Sequence, residues 1–294
     1  MRMSAQDGGW HIGVIGGSGL SAGVGLEDAQ EIPVRSPFGE PSGPVTQGTL
    51  AGVKFSFLAR HGTAHAIPPG AINYCANIDA LKRCGVTDVV ALSAIGSLRE
   101  GLAPGHFVTA DQFIDRTTQR INSFFGPGLV AHVSLADPVC PRLSALVATA
   151  AEAAGGTVHR AGCYVAIEGP QFSTRAESLM YRSWGADVIG MTAMPEARLA
   201  REAQLPYALL AMVTDYDCWH ETEADVAAHN VFAVLAANAA RARAAVRALA
   251  QALPARREGS PIDTALHGAF ATAPEQRDPR LVAMLGAVLG RALD

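Results

Sequence analysis

At 294 residues, with hydrophobic side chains at 49% and charged ones at 17%, the chain can bury a full core and lacks the composition of a disordered polymer. Its formal net charge of −4 gives no electrostatic reason to expect nucleic acid or an anionic membrane as partner. Five scattered cysteines without a CxxC pair argue against a disulfide framework or a thiolate zinc site. The N-terminus lacks a signal peptide's apolar core, so a cytoplasmic, metal-free protein is expected.

Residues 11–15 read as a short strand that runs into Gly16-Gly17-Ser18-Gly19, a turn where backbone N–H groups can approach an anion. Gly17, Gly19 and Ala22 fit the loose dinucleotide pattern G-x-G-x-x-G/A. The following residues, with Gly23, Gly25 and Pro33, do not open the helix such a site requires. A plain tight turn is the competing reading. A second strand over 53–59 ends at Arg60-His61, a cationic pair suited to an oxyanion. Residues 71–84 form an amphipathic helix, and a strand over 88–92 ends in the small residues Ser93-Ala94.

Residues 107–118 continue the sheet and then leave it, and 123–137 make an irregular excursion. An alanine-rich helix over 141–154, a strand over 164–167 and a helix over 174–184 follow. The apolar runs 187–191 and 207–213 flank a helix with Pro195 in its first turn, so a βαβ unit with both strands parallel is expected. Open α/β sheets bind ligands at the carboxyl ends of their strands. Here those ends carry Met191-Thr192 and Thr214-Asp215-Tyr216-Asp217. A long helix over 226–253 and a tail with two shorter helical stretches complete the chain.

If the strands are parallel neighbours, Ser18, Arg60, His61, Ser93, Ala94 and Thr192 share one rim and can cage a phosphate. No P-loop lysine is present, so the phosphate is free or small. Phe172, Met191 and Tyr216 offer faces for a sugar and a flat base, with Asp215 and Asp217 toward a purine edge.

The segments IGVIGGSGL, FLARHGTAH, INYCANIDALK, GSLREGLAPG, DQFIDRTT, AIEGPQFSTRAES and TDYDCW, in this order, resemble the trimeric purine nucleoside phosphorylase family and, within it, the branch that cleaves S-methyl-5'-thioadenosine. The resemblance implies a single α/β domain over 10–253, a mixed and mostly parallel sheet flanked by helices, with 254–294 as a helical tail. It implies phosphate binding by Ser18, Arg60, His61, Ser93, the Ala94 backbone and Thr192, and ribose contact by Met191. Phe172 and Ile189 would flank the base, Ser173 would join the substrate contacts, and Asp215 and Asp217 would meet the purine edge. Ala228, Val231 and Phe232 would line the 5'-methylthio pocket, with His132 lent by a neighbouring subunit. The implied assembly is a homotrimer or a dimer of trimers, with orthophosphate as co-substrate and no cofactor.

Asp215 as a protonated acid would serve purine N7 and favours a 6-aminopurine. The alternative is a 6-oxopurine nucleoside phosphorylase acting on inosine, guanosine or methylthioinosine. Gly190 stands where the thioadenosine enzymes often carry Asn, a feature of that other branch, and His229 could reach a 5'-hydroxyl. A dinucleotide-dependent oxidoreductase and a non-catalytic nucleoside binder are the readings from other classes.

Overall fold

The computed structural model describes residues 9–16, 24–220 and 228–293, with side chains of the helix that begins at Ala228 described from 239 onward. In chain order the strands and helices are β1 (His11–Gly16), β2 (Glu27–Ile32), β3 (Val45–Leu50), β4 (Val53–Ala59), α1 (Tyr74–Arg83), β5 (Asp88–Ser97), β6 (Phe107–Ala110) and β7 (Gln112–Asp115). Then come α2 (Pro141–Ala153), β8 (Val158–His159), β9 (Cys163–Ala166), α3 (Arg175–Ser183), β10 (Val188–Gly190), α4 (Ala193–Glu202), β11 (Tyr207–Asp215), α5 (Ala228–Ala252), α6 (Pro279–Met284) and α7 (Gly286–Leu289).

The expected α/β architecture is present. Alternation along the central strands divides the core in two. Val89 and Ala91 of β5, with Tyr207, Leu209, Ala211 and Val213 of β11, pack toward α1 and α4. Val90 and Leu92, with Ala208, Leu210 and Met212, pack toward α2 and α5. The tail joins this core: Leu266, Leu285, Val288 and Leu289 are buried with α1, and Ile262 with α2. Residues 254–261, which lead from α5 into the tail, are pinned. Trp10 Nε1 donates to the Pro254 carbonyl at 2.8 Å, and Arg257 pairs with both Asp88 and Asp263.

β5 organises the site because it outruns its neighbours. One edge pairs with β11 from Val89 to Gly96. The other edge pairs with β1 over Asp88 to Ala91, and with β10 at Gly96 and Ser97. Between those two partners, Leu92 to Ile95 face a gap in the sheet. A break of this kind, where neighbouring strands diverge, is where α/β sheets take ligands.

The βαβ expectation for 187–213 is corrected. β10 runs antiparallel to β5 and β11 runs parallel to it, so β10 and β11 run in opposite directions. A strand buried on both faces shows the same apolar run whichever way it points, so the pattern carried no direction. The strands β2 and β3 also escaped the sequence reading. β2 is EDAQEI, exposed along nearly its whole length, and has no apolar face to announce it.

Candidate active site

The register of the sheet sets three strand ends at one level. Gly16 pairs with Ala59, and the Arg60 N–H donates to the Gly16 carbonyl at 2.9 Å. The antiparallel register of β10 returns Thr192 to the middle of β5, where its hydroxyl lies 3.3 Å from that of Ser93. Arg60 reaches the same gap, donating from Nη1 to the Leu92 carbonyl at 2.8 Å. Arg60, Ser93, Ala94 and Thr192 are thus brought together. Ser18, the fourth anchor of the expected cage, lies outside the described residues.

Two details of that cage differ from expectation. Arg60 does not hold its whole fork open. Its Nε and Nη2 donate to the two carboxylate oxygens of Glu196 at 3.0 and 2.8 Å, leaving one N–H on each terminal nitrogen. Burial opposes the charge on Arg60, but the Glu196 carboxylate more than offsets this and holds its pKa above the usual range. Glu196 also accepts from the Tyr207 hydroxyl at 3.0 Å. His61 is not cationic. Burial, reinforced by the nearby Arg60 charge, brings it down to about 4, so it is neutral near pH 7. Its Nδ1 donates to the Ile67 carbonyl at 2.8 Å, which leaves Nε2 as an acceptor.

Further along β5 lies the carboxylate pair. A β-bulge at Thr214 shifts β11 so that Asp215 stands opposite Gly96, a usual way of re-aiming a side chain beside a site. A Cβ added at Gly96 would meet Asp215 Oδ1 at 2.9 Å and Ile189 Cγ2 at 3.0 Å, so only glycine lets both pack there. Asp215 accepts from the Thr214 hydroxyl at 2.6 Å and from the Asp217 N–H at 2.9 Å. Burial still raises its pKa, helped by the charge of Asp217. Asp217, buried and in the left-handed region at φ 52°, accepts from the Ser173 hydroxyl at 2.8 Å. Ser173 therefore reaches the carboxylate end of the site, and Phe172 beside it is exposed.

Met191 lies between the two halves, its sulfur where a Cβ on Gly169 would stand, at 2.5 Å. Its carbonyl accepts from Arg120, which sequence reasoning missed. The Arg120 side chain is almost wholly buried and also donates to the Ile167, Glu168 and Met194 carbonyls, the Tyr74 hydroxyl and the Glu168 carboxylate. Arg120 so fixes the chain entering Thr192 against the end of β9. Its only signal in sequence was a charge following DQFIDRTT. His132 is exposed, on a segment whose N–H donates to the Ala269 carbonyl of the tail at 2.8 Å. The side chains of Ala228, Val231 and Phe232 lie outside the described residues, although the α5 backbone begins at Ala228.

A family model described as the phosphorylase superfamily matches residues 11–251. The chain belongs to that superfamily, among the S-methyl-5'-thioadenosine phosphorylases. It is 56% identical to the S-methyl-5'-thioadenosine phosphorylase of Cereibacter sphaeroides and 54% identical to that of Bradyrhizobium diazoefficiens, covering 96% of this chain and 98% of each relative. Among solved structures it resembles a methylthioadenosine phosphorylase from an Antarctic soil metagenomic library, at TM-score 0.90 and 44% identity over 96% of this chain and 100% of that one. The Schistosoma mansoni methylthioadenosine phosphorylase in complex with adenine is similar at TM-score 0.79 and 36% identity, over 82% of this chain and 91% of that one. Among the described residues no helix is long and apolar enough to cross a membrane.

Proposed function

We propose that this chain cleaves the N-glycosidic bond of S-methyl-5'-thioadenosine with orthophosphate, giving adenine and 5-methylthioribose 1-phosphate. The observation that carries the reading is a single strand, β5, with an anion cradle at Ser93 and a half-buried carboxyl group, Asp215, packed on Gly96. Phosphate held by Ser18, Arg60, His61, Ser93, the Ala94 backbone and Thr192 attacks C1' as the bond to N9 breaks, through an oxocarbenium-like state. The electron pair of that bond passes to the purine, and Asp215, whose pKa burial raises, gives its proton to N7. The Asp215 carboxylate then accepts from the 6-amino group. Neutral His61 takes a hydrogen bond from a protonated phosphate oxygen through Nε2.

In this reading Met191 meets the ribose, Phe172, Ser173 and Ile189 border the base, and Asp217 fixes its edge. Ala228, Val231 and Phe232 form the 5'-methylthio pocket, closed by His132 of a neighbouring subunit in a homotrimer. The exposed apolar residues Leu179 and Met180 of α3 and Trp184 just after it, together with Phe172, support a subunit contact. Orthophosphate is the second substrate and no organic cofactor enters. The domain spans 10–253, and 254–294 is a tail packed on it.

The test is release of free base from a nucleoside panel with orthophosphate. Methylthioadenosine should be cleaved much faster than inosine, guanosine or methylthioinosine; the reverse order overturns the substrate assignment. Asp215→Asn should lower kcat for methylthioadenosine by about 10²- to 10⁴-fold, the usual worth of a general acid. Near-wild-type turnover would remove Asp215 from the proton transfer.

A further inference from the structure

A cradle made of hydroxyls on two different strands depends on whatever holds those strands in register, and one side chain stands at their junction. Tyr164 of β9 is fully buried, and its hydroxyl accepts the Thr192 N–H at 3.3 Å. Across the cradle the Ser93 hydroxyl lies 3.3 Å from the Thr192 hydroxyl and donates to the Ala94 carbonyl at 3.1 Å. The phenol oxygen therefore holds the backbone of the residue whose hydroxyl faces Ser93 on the phosphate side. Its ring is held from behind by Phe113, edge to face at 5.8 Å.

The space for this phenol exists because residue 190 has no side chain. A Cβ at Gly190 would lie 2.1 Å from the Tyr164 oxygen and 2.7 Å from Cζ. Both are far inside van der Waals contact, and the clash involves a buried ring that cannot swing away. A tyrosine at 164 and any side chain at 190 exclude each other.

We propose that Tyr164 is a positioning residue of the phosphate cradle, and that glycine at 190 is there to admit its hydroxyl. The inference rests on the phosphorolysis reading and deepens it. Gly190, which in sequence suggested a 6-oxopurine enzyme, thereby reports on how phosphate is held and says nothing of the base. The Tyr164 phenol fills the volume that a side chain at 190 would take, and orders Thr192, and through it the pairing with Ser93, from below.

Steady-state kinetics with both substrates varied, and thermal unfolding with and without orthophosphate, test this on wild type, Tyr164→Phe, Gly190→Ala, Tyr164→Leu and Tyr164→Leu/Gly190→Ala. Tyr164→Phe keeps the ring, so melting without phosphate should stay near wild type. Its KM for phosphate should rise on the order of tenfold, the size of one hydrogen bond lost in a buried site, with KM for the nucleoside unchanged. The stabilisation given by orthophosphate should shrink in parallel. Gly190→Ala should act in the same direction, and in the Tyr164→Leu background the same substitution should add little, because the ring it displaces is gone. An unchanged phosphate KM in Tyr164→Phe, a shift confined to the nucleoside, or additive effects of the pair each overturn the proposal. Wild type that binds orthophosphate but cleaves no nucleoside would instead overturn the activity, with the phosphate-stabilisation arm still deciding the role of Tyr164.

Discussion

Arg60 and Glu196 lie 136 positions apart and share two hydrogen bonds where neither meets solvent. In the sequence, Arg60 was legible as an anion ligand because it follows a strand directly. Glu196, in the first turn of α4, has no such neighbour in sequence to mark it. Its real work, fixing the angle of the guanidinium, depends on a contact between distant segments that no local pattern encodes. Tyr164 and Arg120 were hidden for the same reason: each acts through buried partners from several elements. Removing one partner of a buried ion pair leaves the other charge without compensation, at a cost of about 3–5 kcal/mol. Glu196→Gln should therefore lower stability by about that amount in urea unfolding and raise KM for phosphate. A loss below about 1 kcal/mol would place the pair with weak surface bridges instead.

At the level of elements, most strands and helices could be placed from apolar runs and caps, but the direction of β10 could not. That direction matters, since only an antiparallel β10 brings Thr192 back to Ser93. The bulge at Thr214 was equally silent in sequence, and it decides which strand residue Asp215 faces. Both features converge on Gly96, where β5, β10 and β11 crowd together. Gly96→Ala would place a methyl 2.9 Å from Asp215 Oδ1 and 3.0 Å from Ile189 Cγ2. The carboxyl group and the base-flanking isoleucine must then move apart. Kinetics should show a fall in kcat/KM for the nucleoside while KM for phosphate stays near wild type. Equal damage to both would mean that the methyl disturbs the whole of β5.

Across the molecule, acid should weaken the fold through two histidines held neutral. Burial, with the charge of a nearby cation, brings both His11 and His61 from 6.5 to about 4. Between those values the unfolded chain binds more protons than the folded one, so stability rises with pH through the window. It is therefore lost as pH falls from about 6.5 to about 4. Melting temperatures should follow that slope, and His11→Gln should make it shallower. A flat profile over the same range would mean that these rings are protonated in the folded state.

The proposed assembly leaves no trace in the periodicity of one chain, but it would give work to residues that the single chain leaves exposed. His132 is exposed and the apolar side chains of α3 are uncovered, as a ring of like subunits would need if each completes its neighbour's pocket. On the proposed reading, Asp215→Ala removes the acid of a subunit's own site, whereas His132→Ala impairs the site of the next subunit. If the proposed trimer forms, the two variants co-expressed in equal amounts give mixed rings. In these, about a quarter of the sites pair an intact Asp215 with an intact His132 from the adjacent subunit. Activity of the purified mixture should then exceed the mean of the two parents by about that share of the wild-type rate. Activity equal to the parental mean would place His132 in its own subunit's site or in none.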